Sequence, residues 1–519
     1  MSYKNLEELL RANGGPVNHL RNSPSGPNPY PVVQSEYTNW RDEQRAWQQS
    51  AVLFNQSYHM TDMYVSGPDA FKLLEKLGIN SFKGFEVNKA KQYVPVSWDG
   101  YVIGDVVLCY LDKELFNLIG RPAVHNWVQY HAETGGYNVK CERDERSAAR
   151  INPVARKTYR FQVQGPNAMK IMERVLGKAP PELKFFNMCE MIIAGKKVRA
   201  LRHGMAGQPG FELFGPAEEG DTVKDALVVA GQEFGLRLVG ARAYSSNTLE
   251  SGWVPSPMPA IYSGDERMKK YREWLKANSF EGNASLGGSY YTNNIDDYYL
   301  TPYDLGYGAF VKFDHDFIGR EALEKIAGKP HKIKVTLELN DEDVNKTIAS
   351  QFGKEHERAK YIDFPSAVYS MYPFDRVMKD GKLEQIATPS VLYSAPATPF
   401  VAEFVGTMNR IPASYEGGDQ VSVFGAVVPV HGDHALVPTG DVDVLVRPEG
   451  LTVDAGSGGN GIVTDRTFLG SLTRVTVRLS GSVTVKVDKA SSAATNLVAG
   501  ASVQIGMAGN EPVLVAERR

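Results

Sequence analysis

The sequence has little cysteine. Its three, Cys109, Cys141 and Cys189, stand far apart in 519 residues. They form neither a disulfide framework nor a Cys-x-x-Cys metal knuckle, and they suit a reducing compartment. Net charge is also scarce: 57 Lys and Arg against 60 Asp and Glu leave −3, so no strong field favours nucleic acid or an anionic membrane. No apolar run reaches the ~20 residues that span a bilayer. Met1–Asn13 reads as a polar amphipathic helix without the apolar stretch of a secretory signal. No G-x-x-x-x-G-K-[ST] run occurs, which excludes a P-loop. Gly456-Ser457-Gly458-Gly459-Asn460-Gly461 has G-x-G-x-x-G spacing, but Ile462-Val463 continues it as a strand rather than a helix, so it reads as a turn. His431-Gly432-Asp433-His434 offers two imidazoles and no third ligand, so no metal site is expected. These absences predict a cytoplasmic protein without membrane insertion, nucleic-acid partner or metal.

What is present changes along the chain. All six Trp lie at or before Trp274, whereas residues 386–519 hold twenty-three Val but only two Lys and two Tyr. The early part reads as mixed α and β. The late part, short alternating Val runs broken by Gly, Asp and Pro, reads as an all-β module.

The early part contains a repeat. Met63-Tyr64-Val65-Ser66-Gly67-Pro68-Asp69-Ala70 leads into an apolar helix face at Ala70, Leu73, Leu74 and Leu77. Phe161-Gln162-Val163-Gln164-Gly165-Pro166-Asn167-Ala168 leads into Ala168, Ile171, Met172 and Val175. The i, i+3, i+4, i+7 spacing buries one face of each helix, and Pro and Gly punctuate both ends. Gly100–Asp112 and Leu115–Gly120 then predict a hairpin followed by a helix; 191–194, 197–202, 210–214 and 223–234 repeat that order. Each copy, about residues 50–150 and 151–250, is a strand-helix-strand-strand-helix unit. Two such split-βαβ layers facing one another would enclose a central channel.

Some polar residues stand out before any resemblance is considered. Gln56, Tyr58 and His59 cluster just ahead of the first repeat, where His59 suits a hydrogen-bonded core as well as a site. Arg121 ends the apolar run Leu115–Gly120, and its planar fork suits a carboxylate. Glu212 alternates with Phe211 and Leu213 in a strand, so it meets either solvent or a ligand. Gly240–Trp253 is dense in polar and aromatic residues, the composition of a binding loop.

The paired Gly-Pro units, Gly210-Phe211-Glu212, Arg242-Ala243-Tyr244, Leu249-Glu250-Ser251-Gly252 and the run Val311–Leu323 resemble the tetrahydrofolate-dependent aminomethyltransferase (glycine-cleavage T-protein) superfamily over residues 1 to about 380. Asn39-Trp40-Arg41, Asn88–Val96, Arg202–Gly207, Asn247–Trp253 and Ser256-Pro257 resemble its vanillate/3-O-methylgallate O-demethylase branch. The resemblance implies an α+β fold, a duplicated split-βαβ folate-binding body. It implies transfer of a methyl group from a methoxylated aromatic acid to tetrahydrofolate. On that reading Tyr244 and His59 are catalytic, and Tyr30, Gln56, Tyr58, Arg121 and Trp253 bind the aromatic acid. Glu212, Gln164 and Asp105 bind tetrahydrofolate.

Residues 375–406, with Val446-Arg447-Pro448-Glu449 and Phe468-Leu469-Gly470, resemble the OB-like TOBE region of ABC-importer ATPases. The expected organisation is a catalytic region over 1–375, with 251–375 extending the repeats, a seam over 376–400 and a β module over 401–519. The tail is a candidate surface for a protein partner or self-association. Two alternatives stand beside the main reading: a related folate-dependent amino- or S-methyltransferase, and a non-catalytic folate-binding or transporter-associated module.

Overall fold

The computed structural model describes residues 3–23, 32–147, 154–254, 257–334 and 339–353, short pieces between 358 and 404, and 407–431, 437, 439–469, 471–480 and 483–518. The chain divides into two units, residues 1–329 with 344–375, and residues 330–343 with 376–519.

Two sheets of the first unit are built from β1 (Ala51–Asn55), β2 (Thr61–Ser66), β3 (Ala90–Tyr93), β4 (Val106–Asp112), β5 (Leu115–Gly120), β6 (Lys140–Asp144), β7 (Thr158–Gln164), β8 (Met188–Ile193), β9 (Lys196–Arg202), β10 (Gly210–Pro216) and β11 (Leu236–Leu238). One sheet runs β3-β4-β5-β2-β6 and the other β8-β9-β10-β7-β1-β11. These orders are one pattern used twice. β2 and β7 lead into the helices Ala70–Leu77 and Ala168–Leu176, while β5 and β10 lead towards Pro122–Thr134 and Gly220–Gly231. The sheets differ by one strand: β6 flanks β2, whereas β1, from the very start of the first copy, lies between β7 and β11 of the second sheet.

Gly67 and Gly165 show why each turn carries glycine. Their φ angles are +127° and +123°, and a Cβ would meet Asn138 O at 2.5 Å or Ser50 O at 2.7 Å. Both obstacles are backbone entering the flanking strand, β6 or β1. The helices bury the faces that the spacing predicts: Ala70, Leu73, Leu74 and Leu77 in the first, and Ala168, Ile171 and Met172 in the second. β4 begins at Val106 rather than at Gly100, because Gly100 and Gly104 adopt positive φ and break the ladder. The residues so released bring Asp105 towards the site.

The two layers meet where β3 passes β8. Met188 N donates to Asn88 O at 2.7 Å, and Ala90 N donates to Phe186 O at 2.7 Å. Ala90, Cys109, Leu111, Ile119, Met188, Leu201 and Phe214 share one apolar cluster between the sheets. At this level the expected central channel is filled, both by that cluster and by a buried ionic chain. Asn117 Nδ2 donates to Asp62 Oδ1 at 2.8 Å, and Arg160 donates to Asp62 Oδ1 and to Glu212 Oε1, both at 2.7 Å. Arg156 Nη2 reaches Asp62 Oδ2 at 2.6 Å. Asp62 and Arg160 occupy the same place in the two copies, each five residues before its turn glycine. Burial pushes the Asp62 carboxyl up, but Arg160, Arg156 and Asn117 outweigh it and hold it below its ordinary value.

In the second unit, Asn409–Tyr415, Gly440–Val446 and Leu514–Glu517 form one sheet, and Leu451–Ala455, Gly461–Phe468, Leu472–Leu479, Thr484–Ala490 and Ser502–Met507 form another. Alternation turns Val475, Val477, Val485 and Val487 into its core. The Gly456–Gly461 run is a turn that ends in the strand Gly461–Phe468.

Replacing Arg160 with Met leaves Asp62 and Glu212 buried with one guanidinium fewer. Urea unfolding is expected to show a loss of ~3–5 kcal/mol. Arg45→Met, which removes an exposed pair with Asp42, is expected to cost under ~1 kcal/mol.

Candidate active site

Period-2 alternation on β7 sends Tyr159, Phe161 and Val163 into the helix-covered core. The opposite face carries Arg160, Gln162 and Gln164, all buried. Register aligns Phe54, Gln162 and Glu212 in one row across β1, β7 and β10. Gln56 follows Phe54 just past the end of β1, and its Nε2 donates to Gln162 Oε1 at 2.9 Å.

Tyr244 approaches this row from the helix Ala241–Ser251. Its ring stacks on Phe54 with centroids 3.9 Å apart and planes 9° apart. The His59 ring stands edge-on at 5.6 Å. Gln56 Nε2 donates to the Tyr244 hydroxyl oxygen at 3.1 Å. Glu43 anchors the helix start. It is fully buried, and it accepts from the backbone N–H of Tyr37 (2.7 Å), Thr38 (2.8 Å) and Gly240 (2.8 Å). A Cβ at Gly240 would meet Ser35 O at 2.3 Å, so only glycine lets the loop come this close.

Arg121 and Asp105 share a narrow cavity with Gly104, Pro257, Phe280 and Tyr372. Arg121 sits at the start of the helix Pro122–Thr134, and its backbone carbonyl lies 2.8 Å from His125 Nδ1. Asp105 Oδ2 accepts from Tyr307 (2.9 Å), Trp253 Nε1 (3.2 Å) and Gln92 Nε2. Burial raises the Asp105 pKa, and those three donors and Arg121 pull it partly back. Arg121 also acts on His59. Burial first, then Arg146 and Arg121, push that imidazole down to about 3, so it is neutral near pH 7.

Glu212 is 4% exposed. Arg160 holds Oε1, and His203 Nδ1 lies 3.5 Å from Oε2. A carboxylate has about four acceptor sites, so this one keeps capacity for further donors. Gln164 differs: its Nε2 donates to His203 O at 3.0 Å and its Oε1 accepts from Met205 N at 2.7 Å. Both ends of this amide hold the 203–205 loop. Tyr58 lies in the turn after β1, where its carbonyl accepts from Ser147 N at 2.9 Å. Tyr30 lies outside the described residues.

The structure thus brings Gln56, His59 and Tyr244 into contact and ties Trp253 to Asp105. Arg121 lies within electrostatic reach of both groups. It adds residues that motif reading passes over: Gln162, Gln92, Tyr307, Phe54 and the Asp62–Arg160 pair. Gln162 was visible inside the second Gly-Pro unit, but its partner depends on strand register. Among the described residues, no group of His, Cys, Asp and Glu is placed to hold a metal.

Residues 11–256 match the GCVT N-terminal domain family, and residues 444–514 match the TOBE domain family. The chain is 57% identical over 385 residues to a syringate O-demethylase of Sphingobium sp., covering 74% of this chain and 83% of that protein. It is 30% identical over 370 residues to a sesamin methylene transferase of Sinomonas sp., covering 69% and 78%. An aminomethyltransferase of Corynebacterium aurimucosum is 27% identical over 321 residues, covering 60% and 73%.

A neutral, buried His59 has a testable signature. With its folded pKa below the unfolded value of ~6.5, its contribution to stability is complete above that pH and is lost as pH falls towards the folded value. Ring NMR of labelled histidines, assigned with His59→Gln, is expected to show no His59 titration between pH 5 and 8. A midpoint near 6.5 would contradict the burial argument.

Proposed function

This chain belongs to the folate-dependent aminomethyltransferase family, in the branch that holds the syringate O-demethylase, and from that premise we propose that it moves the methyl group of a methoxylated aromatic acid to tetrahydrofolate. The observation that carries the reading is the row Phe54–Gln162–Glu212. Tyr244 stacks at one end, and Glu212 stands two strands away at the other, ~10 Å at ~4.8 Å per strand. That interval suits a pterin lying between a carboxylate and a tyrosine hydroxyl.

An aryl methyl ether resists cleavage because a phenolate leaves poorly. Tetrahydrofolate, when bound, supplies N5 as the nucleophile. The aryl ether would leave as a phenol, so the site would have to provide the departing oxygen with a proton. Tyr244 is placed to deliver that proton. Both groups are phenols, so a tyrosine is matched in kind to the oxygen it would protonate. Gln56, donating to the Tyr244 oxygen, stabilises the tyrosinate left behind. The Phe54 stack fixes the ring plane, which supports the in-line alignment that supplies much of the rate.

Glu212, its Oε1 held by Arg160, would take the adjacent N–H donors of the pterin. Gln164 would act by positioning the 203–205 loop, since its amide is committed there. Asp105 would hold Trp253 and Tyr307 as a wall of the site. Arg121 would pair with the substrate carboxylate, and neutral His59 would accept a hydrogen bond from a ring hydroxyl. Vanillate, 3-O-methylgallate and syringate all carry these groups. The catalytic region is proposed to end at about residue 375, with the seam over 376–400 and the β module beyond.

Tyr244→Phe keeps the stack and removes the acid. Anaerobic incubation with tetrahydrofolate and syringate, followed by chromatography of the folate pool, is expected to show kcat reduced ~10²–10⁴-fold, with KM little changed. Unaltered kcat would assign the proton to another group. Truncation after Gln385 is expected to leave kcat and KM intact. A loss of folate binding in the truncated chain would make the tail a working part of the enzyme.

A further inference from the structure

Tyr372 comes from far along the chain, yet it lines the cavity that holds Arg121 and Asp105. It lies on a short strand, Met371–Pro373, paired in parallel with Ser285–Gly287 so that Tyr372 stands beside Leu286. The residues after it are pinned. Phe374 N donates to Gly287 O at 3.1 Å, Tyr290 N donates to Phe374 O at 2.9 Å, and Asp375 Oδ1 accepts from Ser289 N at 2.9 Å. Gly288 has φ +88°, and a Cβ there would meet Phe374 O at 2.0 Å. The backbone that carries the ring is therefore pinned along one segment, residues 285–290.

Tyr372 is only 3% exposed, and its hydroxyl makes no hydrogen bond to any described residue. A phenol O–H without a protein acceptor is met by water or by a ligand. Such a group calls for an acceptor. Arg121 and Glu281 both act electrostatically on this phenol. The Glu281 carboxylate already accepts from Asn126 Nδ2, at 2.9 and 2.8 Å. The acceptor that suits a phenol O–H beside a guanidinium is an anionic oxygen, and a carboxylate offers one oxygen to each donor.

We propose that Tyr372 is a substrate-binding residue whose hydroxyl donates to the same carboxylate that Arg121 pairs with. The inference rests on the reading of Arg121 as the carboxylate partner. It makes the strand at 371–373 part of the substrate site, and it makes discrimination between an acid and its neutral amide the work of two donors.

The test is calorimetric binding of syringate and of syringamide to the full-length protein, with KM and kcat for syringate measured alongside. Tyr372→Phe keeps the ring and removes only the hydroxyl. It is expected to weaken syringate binding and raise KM about tenfold, to leave kcat within about twofold, and to leave syringamide and tetrahydrofolate binding unchanged. If Arg121→Ala weakens syringate binding strongly while Tyr372→Phe does not, Tyr372 has no part in recognition and the proposal is overturned alone. If Arg121→Ala also leaves binding unchanged, or if the wild-type protein binds no methoxybenzoate, the reading of Arg121 falls with it. An equal loss of syringate and syringamide binding in Tyr372→Phe would show that the hydroxyl acts on cavity shape, and would likewise overturn the proposal.

Discussion

Between the two sheets, Asp62 and Arg160 sit 2.7 Å apart with almost no access to water. Removing two such charges from solvent is expensive, and close attraction returns that cost only when the remaining donors and acceptors are also met. Here Asn117, Arg156 and Glu212 meet them. The two residues stand at matching places in the two copies. Had the copies kept the same residue there, like charges would have faced each other in the interior. Opposite charge at equivalent positions therefore binds the repeats to one another and sets their mutual placement.

The chemistry of the site descends from that pairing. Arg160 gives its second nitrogen to Glu212, which holds the carboxylate in the row shared with Gln162 and Phe54. Phe54 carries the Tyr244 ring, and Gln56 links the Tyr244 hydroxyl to Gln162. The groups proposed for binding the acceptor and for moving the proton are thus held by one continuous set of contacts. Glu43 closes the set from outside by fixing Gly240, where the helix bearing Tyr244 begins.

Much of this was legible in the sequence, for a physical reason. Apolar spacing and Gly-Pro punctuation are local properties, so the duplicated helices, their buried faces and the hairpin following the first could be read directly. The polar residues of the row were legible one by one: Glu212 as an acid in an apolar strand, Gln56 and His59 as a cluster, Tyr244 within a binding loop. Their mutual placement was not, because it depends on register between strands about a hundred residues apart. The Asp62–Arg160 pair was hidden for the same reason, since each alone reads as an ordinary strand charge. Tyr372 was harder still. It lies beyond every motif and reaches the cavity only through a parallel pairing with residues 285–287. The start of β4 was misplaced because Gly100 and Gly104 count as strand in an alternation pattern but break the ladder in space.

The lending of β1 to the second sheet has a consequence for how the molecule is made. Synthesis proceeds from the N-terminus, and β1 emerges before either sheet exists. The first sheet then completes itself with β6, made at its own end. β1 cannot be paired until β7 and β11 have left the ribosome, roughly a hundred to two hundred residues later and, at ~5–20 residues per second, some seconds to tens of seconds later. Throughout that interval an apolar segment, Ala51-Val52-Leu53-Phe54, has no sheet to join. The strand that carries the ring under Tyr244 is thus made early and secured only when the second copy arrives, and until then this nascent chain offers an unpaired segment to chaperones or to aggregation.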